Sequence, residues 1–294
     1  MAPAINLDQS DAREYGAYYE PTAPEGADSG YEYFQPTGAT VSVWSADIQH
    51  GGPLTGLLVR AMENAVDAAD GQAFSRVTMD ILGPVGLGVN RVRVCQPRPG
   101  RQISQIAAEL DVRAPNGTWR TAARAVAWRL KTGDSSAIAK TPHPPLPASP
   151  EELPRMVGFP EIDGVSVAWG KVGFIGTVEI AGLSGRNGDT PAVWLRPLLP
   201  LVAGEETSDL ASAFTVVDVA NGLGAMLDPR EWSWMNTDTT VHLVAPPSGP
   251  WIGIDSSMAA GSRGYGASFA DLYDANGFLG RSAQTVLLTP STPR

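Results

Sequence analysis

Two stretches of the chain carry apolar residues at helical spacing, from Pro53 to about Asp67 and from about Ser208 to Leu227. Each is followed by segments in which apolar and polar residues alternate, as they do along half-buried strands. The two halves therefore repeat one order of elements, a helix and then a run of strands. The alternating segments lie at 77–85, 89–96, 104–119 and 120–130 in the first half and at 239–247, 251–258, 267–279 and 281–290 in the second.

An Asn-Gly pair marks a hairpin in each half, Asn116-Gly117 in the first and Asn276-Gly277 in the second. Such a pair suits a type I′ turn, because both residues tolerate a positive φ. A long helix followed by antiparallel strands buries its apolar face only by lying across the sheet, which makes each half an α+β layer. We expect the two sheets to pair into one.

A proline-rich stretch separates the two halves. The segment from Thr141 to Arg155 contains six prolines and has no apolar periodicity, which is typical of an extended connection. The pattern predicts a first domain at 1–131, in which 1–30 form an N-terminal arm. A linker at 132–165 and a second domain at 166–294 follow.

Composition narrows the class of protein. The chain has 294 residues, of which 43% are hydrophobic, and no apolar run approaches the roughly 18 residues of a membrane-spanning helix. A net charge of -10 opposes binding to nucleic acid, whose affinity comes from clustered basic residues. The first 21 residues have neither a basic segment nor an apolar core, so we expect no secretory signal. One cysteine, Cys95, allows no internal disulfide, which favours a reducing cytoplasm.

Several short motifs resemble those of a known family. The chain is similar to double hot-dog acyl-CoA thioesterases of the thioesterase II type, in which each of two sheets wraps a helix. The resemblance implies a homo-oligomeric enzyme that hydrolyses acyl-CoA by direct attack of water, without a metal or another cofactor. The motifs are QHGGPLTGLL at 49–58, RPGRQ at 98–102, VVDVANGLG at 216–224, NTDTTVHL at 236–243 and GRSAQTVLL at 280–288.

The same resemblance implies three catalytic positions in the second half: Asp218, Asn236 and Gln284. In the family, an Asp on the helix, a Thr or similar residue at the start of the next strand and a Gln near the last strand hold the attacking water. Asp218 and Gln284 both lie among apolar residues, where a polar side chain needs hydrogen-bond partners. Asn236 stands where the family has a hydroxyl, and Thr237, the next residue, is the alternative candidate.

The first helix begins with two glycines, Gly51 and Gly52, for which two explanations remain open. They could expose the first backbone amides to a thioester carbonyl, as the resemblance implies, or they could allow close packing of the helix. Related single hot-dog enzymes carry an acid nine residues after the histidine, whereas this chain has Val59 at that distance from His50. The repeat also aligns Arg124 with Gln284, so we expect catalysis in the second half only.

Three arginines at predicted turns are candidates for binding the phosphates of CoA. Arg98 and Arg101 flank the bend in RPGR, and Arg263 lies at the corresponding turn of the second half. Arginine suits phosphate because its planar fork donates hydrogen bonds in pairs. Ordinary surface arginines would give the same pattern.

Two other functions remain open at this stage. A hot-dog enoyl-CoA hydratase would carry an Asp and a His about five residues apart, and Asp238 and His242 approach that spacing. A non-catalytic acyl-CoA or lipid binder is compatible with the departure at Asn236. A Ser-His-Asp hydrolase is excluded because the chain has no G-x-S-x-G nucleophile elbow. The histidines, His50 included, have no metal-binding spacing and are interpreted as structural.

Overall fold

A computed structural model describes residues 14–24, 26–160, 169–182 and 192–291. The first 13 residues of the predicted arm and the predicted domain boundary at 165–166 lie outside the described residues. None of the helices in the described ranges combines the length and the apolarity that crossing a bilayer requires.

The predicted helices and strands are present in the predicted order, and further short strands accompany them. The helices are α1 (Gly51–Asn64), α2 (Asp209–Val217) and α3 (Ala220–Gly224). The strands of the first half are β1 (Tyr19–Thr22), β2 (Glu32–Pro36), β3 (Gln72–Ile81), β4 (Asn90–Arg98), β5 (Ile103–Arg113) and β6 (Trp119–Lys131). Those of the second half are β7 (Arg155–Val157), β8 (Val178–Ala181), β9 (Val193–Pro197), β10 (Trp232–Asn236), β11 (Asp238–Leu243), β12 (Ile252–Ala260), β13 (Tyr265–Asp274) and β14 (Gly277–Pro290).

All of these strands belong to one antiparallel sheet. Its order is β1-β2-β4-β5-β6-β3-β11-β14-β13-β12-β9-β8-β7, and β10 pairs with the end of β14. Strands β3 and β11 join the two halves, and the hydroxyl of Thr240 donates to that of Thr78 across the joint at 3.2 Å. The prediction that the two sheets pair into one is confirmed.

The helices lie side by side and share one hydrophobic core with the sheet. Two glycines bring α1 close to α2, because a Cβ on Gly52 would lie 2.3 Å from the carbonyl oxygen of Thr215. A Cβ on Gly56 would lie 2.2 Å from the Thr215 hydroxyl. Close packing therefore explains Gly52, although the neighbour is the second helix rather than the sheet.

The second helix differs from its prediction because it breaks near Asp218 into α2 and α3. The amide of Val219 donates to the carbonyl of Val216 at 3.0 Å, a tighter i→i+3 bond than an α-helix makes. Asp218 is therefore the residue at which the helical path changes.

The two Asn-Gly pairs do form hairpins, but the predicted turn type is wrong. Gly117 and Gly277 have positive φ, whereas no residue other than glycine does so in the described part of the chain. A type I′ turn needs positive φ at two residues. In the first hairpin, the Gly117 amide donates to the carbonyl of Ala114 at 2.8 Å, as in a type I turn followed by a left-handed glycine.

The N-terminal arm connects both halves of the molecule. Tyr18 and Tyr19 are fully buried, and their amides donate to the carbonyls of Pro200 and Leu201 at 3.1 and 3.0 Å. The hydroxyl of Tyr19 donates to the side-chain oxygen of Gln49 at 2.7 Å, just before α1 begins. The arm therefore helps to fix the start of α1, which lies next to the candidate site.

Candidate active site

Asp218 is a buried acid at the interface of the two helices. It caps the C-terminal end of α2, and only 3% of its surface is exposed. Its sequence neighbours are core residues, since Val217, Val219 and Ala220 are all buried. A carboxylate in such surroundings is costly unless it receives hydrogen bonds.

Three side chains from the sheet donate to one oxygen of this carboxylate. Asp218 Oδ1 accepts from Asn236 Nδ2 at 2.6 Å, from Thr239 Oγ1 at 3.2 Å and from Gln284 Nε2 at 3.5 Å. The Gln284 amide also donates to the Asp218 carbonyl at 3.2 Å and to Thr239 Oγ1 at 3.0 Å. The structure thus brings Asp218, Asn236 and Gln284 together, as the sequence predicts.

Thr237 is not part of this cluster, and Thr239 supplies the hydroxyl instead. Thr237 is exposed and its hydroxyl donates to Asp238 Oδ1 at 3.2 Å, whereas Thr239 is 2% exposed. The alternation of faces is interrupted because β10 ends at Asn236 and β11 begins at Asp238. The hydroxyl that faces Asp218 therefore lies two residues after Thr237, the candidate that the sequence suggested.

The N-terminus of α1 faces the other oxygen of the carboxylate. A Cβ on Gly51 would lie 2.5 Å from Asp218 Oδ2, so glycine is needed for this approach. The positive end of a helix dipole favours a negative group at this place. Close packing thus accounts for both glycines, Gly51 against the Asp218 side chain and Gly52 against α2, and access of a thioester carbonyl to their amides stays a prediction.

His50 caps α1 and also lies against Asp218. Its Nδ1 accepts from the amide of Gly52 at 3.0 Å and lies 3.3 Å from Asp218 Oδ2. Burial lowers the pKa of His50, and the charge of Asp218 opposes this effect. The imidazole is therefore neutral at pH 7, with its proton on Nε2, since Nδ1 is the acceptor. The cap agrees with the interpretation of His50 as a structural residue, whereas its proximity to Asp218 was not predicted.

Asn221, on α3, was also missed. Its Nδ2 donates to Asn236 Oδ1 at 3.1 Å, which turns the Asn236 NH₂ group towards Asp218. The signal was an amide side chain three residues after Asp218, in the same apolar run. Beside this pair, Gln284 Oε1 is buried and accepts no hydrogen bond from the described residues.

Apolar side chains continue from the cluster along the inner face of β10 and β14. Trp234 lies on the same face as Asn236, and its ring meets that of Trp44 edge to face at 5.2 Å between centroids. Val286 and Leu288 are buried beside it. We call Trp44, Trp234, Val286 and Leu288 the apolar layer.

The predicted phosphate-binding arginines lie at different ends of the sheet. The turn with Arg98 and Arg101 is bonded to Lys131, which pairs with Gln72 at the start of β3. Thr239 pairs with Met79 near the end of that strand, roughly 23 Å further along. The turn of Arg263 adjoins Leu288, at the end of the sheet nearer the cluster, where the Leu288 amide donates to Gly264 at 2.9 Å.

The residues considered for a hydratase are not grouped with Asp218. Asp238 and His242 lie on the face of β11 opposite to the buried Thr239 and Val241. Asp238 Oδ1 accepts from the amide of Thr285 at 3.0 Å. Asp238, the acid that the hydratase spacing suggested, therefore forms a hydrogen bond within the sheet.

Arg124, which the repeat aligns with Gln284, also lies on the outer face. Its Nε donates to Asp80 Oδ2 at 2.9 Å, and 53% of its side chain is exposed. The residues of β6 in the hydrophobic core are alanines. They are Ala122, Ala123, Ala125 and Ala127.

Comparison with known proteins identifies the family. The family model of the acyl-CoA thioesterase N-terminal domain matches residues 40–130, and that of the C-terminal domain matches residues 150–288. No curated protein matched the chain.

Solved structures share the fold at low sequence identity. A hot-dog protein of unknown function from Alicyclobacillus acidocaldarius is 13% identical with a TM-score of 0.64, over 91% of this chain and 96% of its own. The acyl-CoA thioesterase II TesB2 from Mycobacterium marinum is 12% identical with a TM-score of 0.61, over 92% and 97%. The tesB protein of Mycobacterium avium subs paratuberculosis is 14% identical with a TM-score of 0.55, over 90% and 95%. With both family domains matched in order along the chain, over 40–130 and 150–288, the chain belongs to the acyl-CoA thioesterases, and it has the double hot-dog fold.

Proposed function

We propose that the protein hydrolyses acyl-CoA by direct attack of a water molecule that Asp218 activates. The water oxygen bonds to the thioester carbonyl carbon while an oxygen of Asp218 takes its proton. The tetrahedral intermediate then collapses, the carbon–sulfur bond breaks, and the CoA sulfur receives the proton from Asp218. The products are the free acid and CoA, with no covalent enzyme intermediate.

The observation that carries this proposal is the arrangement of donors around Asp218. Asn236, Thr239 and Gln284 all donate towards Oδ1, so the charge is held there. Oδ2 is turned towards the start of α1 and is the oxygen that takes the proton. The buried Oε1 of Gln284 needs a donor, and leaving such an acceptor unpaired costs about 1–3 kcal/mol. We assign it to a hydrogen of the attacking water.

The carbonyl of the substrate is polarised by the amide of Gly51. The first amides of a helix have no acceptor within the helix, and they lie at the positive end of its dipole. The next amide, that of Gly52, is already bonded to His50 Nδ1. A single preorganised donor of this kind is worth on the order of 10²- to 10³-fold in turnover.

His50 places a neutral ring beside Asp218. Its Nδ1 lies 3.3 Å from Asp218 Oδ2 and already accepts from the Gly52 amide, so the ring brings no positive charge to the carboxylate. Protonated His50 would instead stabilise the ionised carboxylate and weaken it as a base. The lowered pKa of His50 therefore favours catalysis near pH 7.

The acyl chain is assigned to the apolar layer, which begins beside Asn236 and faces the same side of the sheet. Burial of an acyl chain against Trp44 and Trp234 gains free energy in proportion to the apolar area removed from water. Water and the reacting carbonyl then lie at the polar end of this layer, next to Asp218.

A thiol-release assay over acyl-CoA substrates of increasing chain length tests the proposal. We expect release with the wild type and a loss of turnover by on the order of 10²- to 10⁴-fold in Asp218→Asn, whose folding is checked by circular dichroism. Binding of acyl-CoA without thiol release by the wild type would instead make the protein a binder.

A further inference from the structure

A pocket of about 230 Å³ opens beside the cluster, outside the residues that contact Asp218. Its wall is built from the segment before α1, the connection between β3 and β4, the end of β5 and the start of β6. The residues that bear on its chemistry are Asp47, Ile48, Gly86, Gly88, Arg113 and Arg120.

The two arginines give the pocket its charge. Neither Arg113 nor Arg120 forms an ion pair with a carboxylate of the described residues, whereas the nearby Arg91 is paired with Asp111 at 3.0 Å. With Asp47 as the acid among the lining residues, the formal charge of the pocket is positive. An anion therefore finds two guanidinium groups that form no ion pair with a carboxylate in the described ranges.

Contacts within the chain orient both guanidinium groups. Arg120 Nη2 donates to the carbonyl of Pro84 at 2.7 Å, and this bond uses one of its five N–H groups. The guanidinium carbon of Arg113 lies 5.0 Å from the centroid of the Trp119 ring. Because these contacts already restrict the side chain, each arginine loses less conformational entropy when it binds a phosphate.

Backbone glycines leave the rim of the pocket open. A Cβ on Gly88 would have no neighbour within 4 Å, and one on Gly86 would meet only the carbonyl of Asp47 at 3.9 Å. A bulky ligand group can therefore approach the backbone at this rim.

The pocket lies on the same side of the molecule as the catalytic cluster. Ile48 precedes His50 by two residues, which span at most about 7 Å. His50 in turn lies 3.3 Å from Asp218. In acyl-CoA, the pantetheine arm separates the thioester from the phosphates, so a phosphate site is expected near the cluster but not within it.

We propose that this pocket binds the phosphate groups of CoA, with Arg113 and Arg120 as the donors. The inference rests on the proposed hydrolysis of acyl-CoA at Asp218. Bidentate bonds from arginine to phosphate suit both the charge and the planar donors available. Arg263, at the other side of the cluster, and the distant Arg98 and Arg101 are the alternatives that the experiment compares.

The experiment measures kcat and KM for an acyl-CoA and for the same acyl group on pantetheine, which has no phosphates of the nucleotide. In the double variant Arg113→Ala/Arg120→Ala, we expect KM for acyl-CoA to rise by about tenfold or more. Its kcat, and both constants for acyl-pantetheine, should stay at wild-type values. Arg155→Ala, which removes an exposed arginine from β7, is the matched control.

Two further arms make the result decisive. Asp47→Asn should lower KM for acyl-CoA, because it removes the negative charge from the pocket wall. Titration calorimetry with CoA itself should give weaker binding to the double variant, a readout that does not depend on turnover. Wild-type protein that binds CoA but cleaves no thioester would contradict the proposed function and leave this pocket assignment supported.

Three results would overturn the proposal. The first is an unchanged ratio of the two KM values in the double variant together with unchanged CoA binding. The second is a rise of KM only in Arg263→Ala or Arg101→Ala. In the third, inorganic phosphate inhibits the wild type but not the double variant, while KM for acyl-CoA is the same in both proteins. The pocket would then be a site for free anions.

Discussion

The two ends of the helix pair can be compared directly, because each places a helix N-terminus near an acid of the other helix. At one end, His50 caps α1 and Asp218 follows α2. At the other end, Ser208 caps α2, and its hydroxyl donates to Glu63 of α1 at 2.6 Å. The scaffold is thus repeated, whereas the groups around the acids differ.

At the Glu63 end, charged groups neutralise each other. Arg60 of α1 bonds Glu205 and Glu32, each at 2.7 Å. Burial raises the pKa of Glu63, and the bond from Ser208 opposes this effect. No amide like those of Asn236 and Gln284 is bonded to Glu63 among the described residues.

At the Asp218 end, two side-chain amides and one hydroxyl donate to the acid, and no arginine or lysine of the described residues forms an ion pair with it. In the proposed mechanism, catalysis is confined to one end because the neighbours of the two acids differ, while both helix caps remain.

The largest expected effect comes from removing each acid in turn. Asp218→Asn should lower kcat by on the order of 10²- to 10⁴-fold, because the general base is lost. Glu63→Gln, the matched change at the other end, should leave kcat near the wild-type value. Thiol release measures both, and a large loss in Glu63→Gln would show that the two ends are not distinct.

The donors around Asp218 should also act as one unit. Gln284→Ala should lower kcat by on the order of 10²-fold. Because both residues act on the same water, the double variant Asp218→Asn/Gln284→Ala should be far less impaired than the product of the two single effects. Multiplicative losses in a double-mutant cycle would place the two residues in separate steps.

The two threonines give a sharper test of the register. Thr239→Val removes the hydroxyl that donates to Asp218 and should lower kcat by about tenfold. Thr237→Val changes an exposed hydroxyl and should have little effect. The opposite ranking of kcat would support the residue first suggested by the sequence.

The sequence predicted the long strands well because their residues alternate over eight or more positions, as in β5 and β14. It did not predict β1, β2 or β7 to β9, which have three to five residues and little periodicity. Short strands are stabilised by pairing with distant segments, and a local pattern does not contain that information.

Asp218, Asn236 and Gln284 were predicted from the resemblance to a known family, and the apolar residues around Asp218 and Gln284 indicated only that these side chains need hydrogen-bond partners. Thr239 was missed because the chain changes strands at Thr237. His50 was missed because its partner, Asp218, is far away along the chain. Only the packing of α1 against α2 brings them together, through glycines whose purpose the sequence left ambiguous.

A smaller effect is expected for the glycines that allow this packing. Gly52→Ala should destabilise the fold by about 1–3 kcal/mol, because the new Cβ meets the Thr215 carbonyl at 2.3 Å. Gly222→Ala in α3 meets no atom within 4 Å and should be neutral or stabilising by about 0.4–1 kcal/mol. Thermal unfolding measures both, and equal stability of the two variants would contradict the close packing.

The smallest effect concerns the dependence of stability on pH. Burial lowers the pKa of His50 in the folded chain below 6.5, its ordinary value in the unfolded chain. At pH values between the folded pKa and the unfolded pKa, the unfolded chain therefore binds more protons than the folded one. Stability should therefore fall as the pH is lowered from about 7 to about 5. In His50→Asn, which keeps a good helix cap, this decrease should be smaller. An equal decrease in both proteins would show that His50 does not titrate in this range.

Direct attack of water, with Asp218 as base and not as nucleophile, is the central claim, and a single turnover in ¹⁸O-labelled water tests it. Excess enzyme is mixed with acyl-CoA, and mass spectrometry then follows the label in the released acid and in the peptide that contains Asp218. We expect one labelled oxygen in the acid and none in the peptide. Label in the Asp218 peptide, with an unlabelled acid in the first turnover, would reveal an acyl-aspartyl anhydride and contradict the account.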